Sequence, residues 1–121
     1  MKQVLVVDDS PVIRKIARRI LEGMNLSTSE AADGRQALAA CSFFMPDAIL
    51  VDGAMPVLDG YEFLRELRAM SGGERPKVVF CTSEYDVAQI ARAMHAGADD
   101  FLMKPFDREY VQAKFESVGV C

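Results

Sequence analysis

Asp47-Ala48-Ile49-Leu50-Val51-Asp52, followed by Gly53-Ala54-Met55-Pro56 and Asp59-Gly60, decides how this chain is read. Ala48 to Val51 is an unbroken apolar run of strand length. Such runs belong to strands buried on both faces, as in a parallel sheet. The run ends in a carboxylate, and Gly53, Pro56 and Gly60 then interrupt regular structure. Asp52 is therefore expected where a buried strand emerges into a loop. In open parallel sheets, ligands bind at that carboxyl edge. An ordinary loop aspartate would satisfy this stretch taken alone, so the rest of the chain must separate the two readings.

Working outward, the same grammar repeats. Gln3 to Val7 is a β-branched apolar run ending at Asp8-Asp9. A helical period follows through Ile13, Ile16, Ala17, Ile20, Leu21 and Met24. Asp9 or Ser10 can cap that helix, and Pro11 suits its first turn. A short strand is expected over 27–31 and a turn at Asp33-Gly34, then a helix over 35–44 packing through Ala37, Leu38 and Cys41. After the strand over 47–52, Tyr61, Phe63, Leu64 and Leu67 set a helical period over 59–70. A strand over 77–82 and a helix over 86–96 closed by Gly97 come next. A strand over 99–103 leads to Lys104-Pro105, and a last helix is expected over 107–117. Five alternations imply a doubly wound α/β fold, a five-stranded parallel sheet with helices on both faces and right-handed crossovers. The strand order 2-1-3-4-5 is taken by analogy from flavodoxin-like folds.

The chain has 121 residues, half of them apolar, with a net charge of −4 and a pI near 4.9. That length suits one domain. An acidic balance disfavours non-specific binding to nucleic acid or to an anionic membrane. No apolar run approaches the ~20 residues of a membrane span, and Met1-Lys2-Gln3 enters a strand directly, without a signal peptide. Cys41, Cys81 and Cys121 lack disulfide or metal-ligand spacing, so free thiols in a reducing cytoplasm are expected.

Three strands end in carboxylates or a hydroxyl: Asp8 and Asp9, Asp52, and Thr82. The fifth ends at Lys104. If the first and third strands are neighbours, the three aspartates converge. Two carboxylates ~5 Å apart repel by roughly 3 kcal/mol at an effective dielectric near 20, so a cluster of three invites a cation. Hard all-oxygen sites select Mg²⁺, Mn²⁺ or Ca²⁺, with Mg²⁺ favoured where waters and phosphate oxygens complete the shell. Acidic residues, a lysine and a hydroxyl together suit phosphoryl transfer, and a carboxylate can itself be the nucleophile. Each residue has a plainer reading: Asp8-Asp9 as a helix cap, Thr82 as a strand former, Lys104 as a solvated lysine. Their joint placement at successive strand ends argues against it.

At this point the chain resembles the receiver domain of bacterial two-component response regulators. The resemblance runs from Val4 through Val118, on Val6-Val7-Asp8-Asp9-Ser10, Pro46 to Asp52, Met55-Pro56, Asp59-Gly60, Thr82-Ser83, Gly97-Ala98 and Lys104-Pro105-Phe106. It implies that Asp52 accepts phosphate from a phosphohistidine on a histidine kinase or histidine phosphotransfer protein. Asp9, Asp52 and the Ala54 carbonyl would ligate Mg²⁺ (Mn²⁺ as an alternative), with Asp8 acting through water. Thr82 would hydrogen-bond the phosphoryl group and Lys104 would pair with it. The Lys104-Pro105 bond would be cis. Thr82 and Phe101 would couple phosphorylation to an output protein that contacts the fourth helix, fifth strand and fifth helix. The expectation is a monomeric, stand-alone receiver domain over residues 1–121. It would be a phosphoacceptor rather than an enzyme acting on other substrates, with no nucleic acid or membrane partner. A phosphorylation-independent binding module and a phosphate sink for a kinase are the rival readings.

Two positions depart from the commonest pattern: Gly53, where larger residues are frequent, and Ala54, which has no polar side chain to steer an attacking water. Glu84, two after Thr82, is the remaining candidate for that role. The stripe Arg14, Lys15, Arg18, Arg19 reads either as a solvated helix face or as a docking surface for a kinase helical bundle. His95 reads as a late helix residue, Phe43, Phe44 and Met45 as core and loop packing or, if exposed, as a partner patch, and Cys81 as a small buried hydrophobe.

Overall fold

The structure, a computed structural model, describes residues 1–83 and 86–121. Its elements run β1 (Gln3–Val7), α1 (Pro11–Glu22), β2 (Ser27–Ala31), α2 (Gly34–Phe43), β3 (Ala48–Asp52), α3 (Gly60–Ala69), β4 (Lys77–Thr82), α4 (Val87–Ala96), β5 (Asp100–Met103) and α5 (Arg108–Ser117). The sheet is parallel throughout, in the order β2-β1-β3-β4-β5. Strand pairing sets Val7 beside Val51, Asp52 beside Cys81, and Thr82 beside Met103. The ends of β1, β3, β4 and β5 thus share one edge.

Alternation along the central strands sorts the apolar residues onto two faces. Leu5, Val7, Ile49, Val51, Val78 and Phe80 pack against α2, α3 and α4 through Ala37, Cys41, Phe63, Leu64, Leu67 and Ala93. Val4, Val6, Leu50, Val79, Cys81 and Leu102 pack against α1 and α5 through Ala17, Leu21, Val111 and Phe115. Each fully buried large side chain stabilises the fold by about 1.5–3 kcal/mol. Burial on both faces explains why Ala48–Val51 shows no polar alternation.

Every helix begins with a side-chain cap. Ser10, Asp33, Asp59, Asp86 and Asp107 each accept from a backbone N–H in the first turn. The expected helices over 59–70, 86–96 and 107–117 therefore begin one residue later, because their first residue is the cap in extended conformation. The strands expected from 47 and 99 also start one residue later. Asp47 instead accepts from Gln3 N at 2.7 Å and Asp99 from Val78 N at 2.8 Å, both outside the ladder.

Three readings are corrected. Phe43 and Phe44 do not pack into the core; they are 93% and 63% exposed, since α2 ends at Phe43 and Phe44 leaves it in extended conformation. Only Met45 of that trio packs against the core. Ile16, counted in the apolar stripe of the first helix, is 42% exposed. The basic stripe divides: Arg14 Nε donates to Glu30 at 2.7 Å, and Arg18 donates to the other Glu30 oxygen and to Thr28, whereas Lys15 and Arg19 are exposed. At the opposite edge, Arg68 donates to the carbonyls of Gly97, Gly73 and Pro76 and pairs with Asp99 at 3.1 Å.

Candidate functional site: an acidic pocket at the carboxyl edge of the sheet

Asp8 and Asp52 are the two buried charged residues among the described ones, 3% and 7% exposed. Both follow directly from strands whose preceding residues are fully enclosed. Asp9, one residue on, is exposed. Asp8, Asp9 and Asp52 each present an oxygen within 4.8 Å of the others. Convergence of the three aspartates, expected from strand order alone, is thus observed.

Lys104 bridges two of them. Its Nζ lies 2.8 Å from Asp8 Oδ2 and 3.5 Å from Asp52 Oδ1. The backbone sets this up: Lys104 N donates to the Thr82 carbonyl at 2.8 Å, continuing the β4–β5 pairing past its last residues. The Lys104-Pro105 bond is cis. The other Asp8 oxygen accepts from Ser10 N at 2.9 Å, and Arg14 donates to the Asp8 carbonyl at 2.7 Å. Ala54 N donates to Asp52 Oδ1 at 3.4 Å.

The electrostatics follow from this crowding. Burial pushes the Asp52 carboxyl above its ordinary range; Lys104 offsets part of that rise and the Asp8 charge adds to it. Burial alone would lower the Lys104 ammonium, but its hydrogen bond to Asp8 and the two carboxylate charges outweigh that and hold the lysine charged. Three carboxylates against one lysine leave two excess negative charges, and a divalent cation would cancel both. An all-oxygen donor set of this kind fits Mg²⁺ or Mn²⁺. Both Asp8 oxygens already accept hydrogen bonds, from Ser10 N and from Lys104 Nζ.

Beside Asp52 opens a cleft of about 320 Å³ lined by Gly53, Ala54, Tyr61, Phe80, Thr82, Ser83, Gln89 and Arg92. Thr82 stands at the end of β4, half-buried. Phe101, on β5, is half-buried with Lys114 Nζ 4.5 Å from its ring centroid. Glu84 lies outside the described residues.

The cleft contains residues that the sequence reading passed over. Phe80, two before Thr82, points into the face shared with Tyr61, whose ring lies 4.8 Å away. A Cβ on Gly53 would fall 2.6 Å from Phe80 Cζ, and one on Gly60 would fall 2.9 Å from Phe80 Cε2. The Phe80 ring fills the space a larger residue at 53 would take. The two glycines were legible as breakers; their shared neighbour was not, because it comes from another strand. Arg92, whose guanidinium lies 4.0 Å over the Tyr61 ring, gave no sequence signal at all.

Comparison with known proteins agrees with the geometry. The model of the response regulator receiver domain matches residues 4–116, and this chain belongs to that family, whose function is phosphotransfer signalling. It is 38% identical to the response regulator MprA of Mycolicibacterium vanbaalenii over 116 residues, which are 96% of this chain and 49% of MprA. The chain thus spans about half the length of that relative. The chemotaxis protein CheY4 of Vibrio cholerae superposes with a TM-score of 0.93 at 33% identity, covering 98% of both chains. The receiver domain of the sensor histidine kinase PA1611 of Pseudomonas aeruginosa, solved with a magnesium ion coordinated in its active-site cleft, superposes with a TM-score of 0.88. It too is 33% identical, with 98% of each chain covered. The fold is CheY-like, and no helix among the described residues is long and apolar enough to cross a membrane.

Proposed function

We propose that residues 1–121 act as one receiver unit in which Asp52 is the phosphoacceptor. The observation that carries this is a buried carboxylate at a strand end, within 4.8 Å of two others and 3.5 Å from a lysine ammonium. An Asp52 oxygen attacks the phosphorus of a phosphohistidine on a histidine kinase or phosphotransfer protein. The P–N bond breaks, the imidazole departs with its electron pair, and an acyl phosphate remains on Asp52. Asp9, Asp52 and the Ala54 carbonyl would hold Mg²⁺, or Mn²⁺ in its place, with Asp8 bound through water. The ion supplies charge neutralisation on the phosphoryl oxygens. Lys104, already tethered between Asp8 and Asp52, pairs with a phosphoryl oxygen, and the Thr82 hydroxyl donates to another.

The output follows from the β4–β5 edge. Thr82 and Phe101 stand on neighbouring strands, two residues apart in register and so on the same face, and movement of Thr82 toward the phosphoryl group would make room for the Phe101 ring to turn inward. That would bias a surface of α4, β5 and α5 for a protein partner. The protein is a phosphoacceptor, not a turnover enzyme for other substrates. It acts in the cytoplasm, consistent with three free cysteines.

Intact-mass spectrometry after acetyl phosphate and Mg²⁺ tests the assignment. One added phosphoryl group is expected on the wild type and none on Asp52→Asn. An unmodified wild type, or equal modification of both, would overturn it.

A further inference from the structure

We propose that Arg92 is a second phosphoryl-responsive cation, whose guanidinium leaves the face of Tyr61 for the phosphoryl oxygens on Asp52 and thereby uncovers the groove between α3 and α4. This inference rests on Asp52 being the phosphoacceptor.

Charge bookkeeping motivates it. Lys104 pairs with two of the three carboxylates of the acidic pocket, and one divalent ion would balance the charge that remains. Replacing the Asp52 carboxylate with an acyl phosphate brings about two negative charges where there was one, leaving one uncompensated in a pocket screened by buried strands. Of the described residues lining the cleft beside Asp52, Arg92 is the cation. Its partner among the described residues is the Tyr61 ring, at 4.0 Å, and not a carboxylate. A cation over an aromatic face at an exposed site is weakly held, whereas a guanidinium forks onto phosphate oxygens with charge-assisted hydrogen bonds. The exchange therefore favours the phosphoryl group once it is present.

The second half of the inference comes from shared walls. Tyr61 and Arg92 also line a groove of about 670 Å³ with Arg65, Arg68, His95 and Ala96. Arg68 is committed to three carbonyls and Asp99. Withdrawal of Arg92 would remove one positive charge from this groove and expose the Tyr61 ring to it. Phosphorylation would then be read on the α3–α4 side of the molecule as well.

The test uses the full chain with Mg²⁺ and beryllofluoride, a phosphoryl mimic, followed by proton–nitrogen NMR of the arginine Nε–Hε groups. Arg92→Gln identifies the resonance. In the wild type, that resonance should shift on saturation with beryllofluoride and stay still with Mg²⁺ alone. Arg92→Gln should bind beryllofluoride roughly fivefold more weakly, as expected for a partly exposed ion pair, and Arg92→Lys should recover part of the loss. A wild type that binds beryllofluoride with an unmoved Arg92 resonance would overturn the inference. So would an Arg92→Gln variant that binds it as tightly as the wild type. A wild type that binds no beryllofluoride at all would instead bring down the phosphoacceptor assignment, and this inference with it.

Discussion

Adding one methyl group at Gly53 should unsettle the pocket, and removing the tip of Phe80 should restore it. The backbone at Gly53 is not in the left-handed region, so alanine is conformationally allowed. The obstacle is steric: its Cβ would lie 2.6 Å from Phe80 Cζ and 2.7 Å from Cε1, about 0.8 Å inside ordinary contact. The Phe80 ring is 1% exposed and is backed by Tyr61 at 4.8 Å, so it cannot simply retreat. Overpacking of this kind costs about 1–3 kcal/mol. Phe80→Leu, which lacks the clashing ring atoms, should cost about 1–2 kcal/mol alone. The double variant should be more stable than the sum predicts by at least about 1 kcal/mol, because the new methyl then fills vacated space. Urea unfolding at constant slope gives the four free energies needed. Gly60→Ala is the control. Its Cβ would meet the Asp52 carbonyl at 2.6 Å and Gly53 Cα at 2.9 Å, which are backbone atoms, so Phe80→Leu should rescue it far less. Additivity of Gly53→Ala and Phe80→Leu within about 0.5 kcal/mol would refute the reasoning.

Further outcomes follow from the same coordinates. Burial holds the folded Asp52 carboxyl above its unfolded value, so the native state binds more protons and stability falls as pH rises from the unfolded value through the folded one. Asp52→Asn should flatten that limb in thermal melts across pH, and Mg²⁺ should raise the melting temperature of the wild type more than that of the variant. Glu84→Ala should change the phosphoryl lifetime, followed by phosphate release, more than Mg²⁺ affinity; equal effects would remove Glu84 from water positioning. Reversing the exposed Lys15 and Arg19 to glutamate should slow phosphotransfer from a kinase but not from acetyl phosphate. Arg14 and Arg18 are unsuitable for that experiment because they pair with Glu30. In the native protein, iodoacetamide at pH 8 should label exposed Cys121 promptly and spare Cys41 and Cys81, whose thiols burial pushes up to about 11 and about 12; labelling of all three should require denaturant.

Much of the architecture was legible because it is written in local patterns. Ala48–Val51 has no polar residue for a solvated face, and Ser10-Pro11 marks the start of the first helix. Convergence of Asp8, Asp9 and Asp52 was legible once the strand order was assumed, since parallel strands present their ends to one edge. What could not be read were the pairings made across the fold. Glu30 on β2 claims Arg14 and Arg18 of α1, a choice that depends on strand β2 lying beside that helix. Phe43 and Phe44 follow an apolar helical pattern, yet the helix ends there and leaves them outside. Phe80 looked like one more residue of a buried strand, although its ring is what a side chain at Gly53 would meet.

The four grips of Arg68 carry a mechanical consequence. They fasten the carbonyl just past the last turn of α4 to the loop before β4 and to Asp99. The far end of that helix is thus nailed down, while its first turn borders the phosphoacceptor cleft through Gln89. A ten-residue helix is about 15 Å long, so swivelling it by 10° about the fastened end carries its start roughly 2.6 Å. The molecule has the makings of a lever: a fulcrum set by one arginine and an arm whose tip rests beside the site of chemistry.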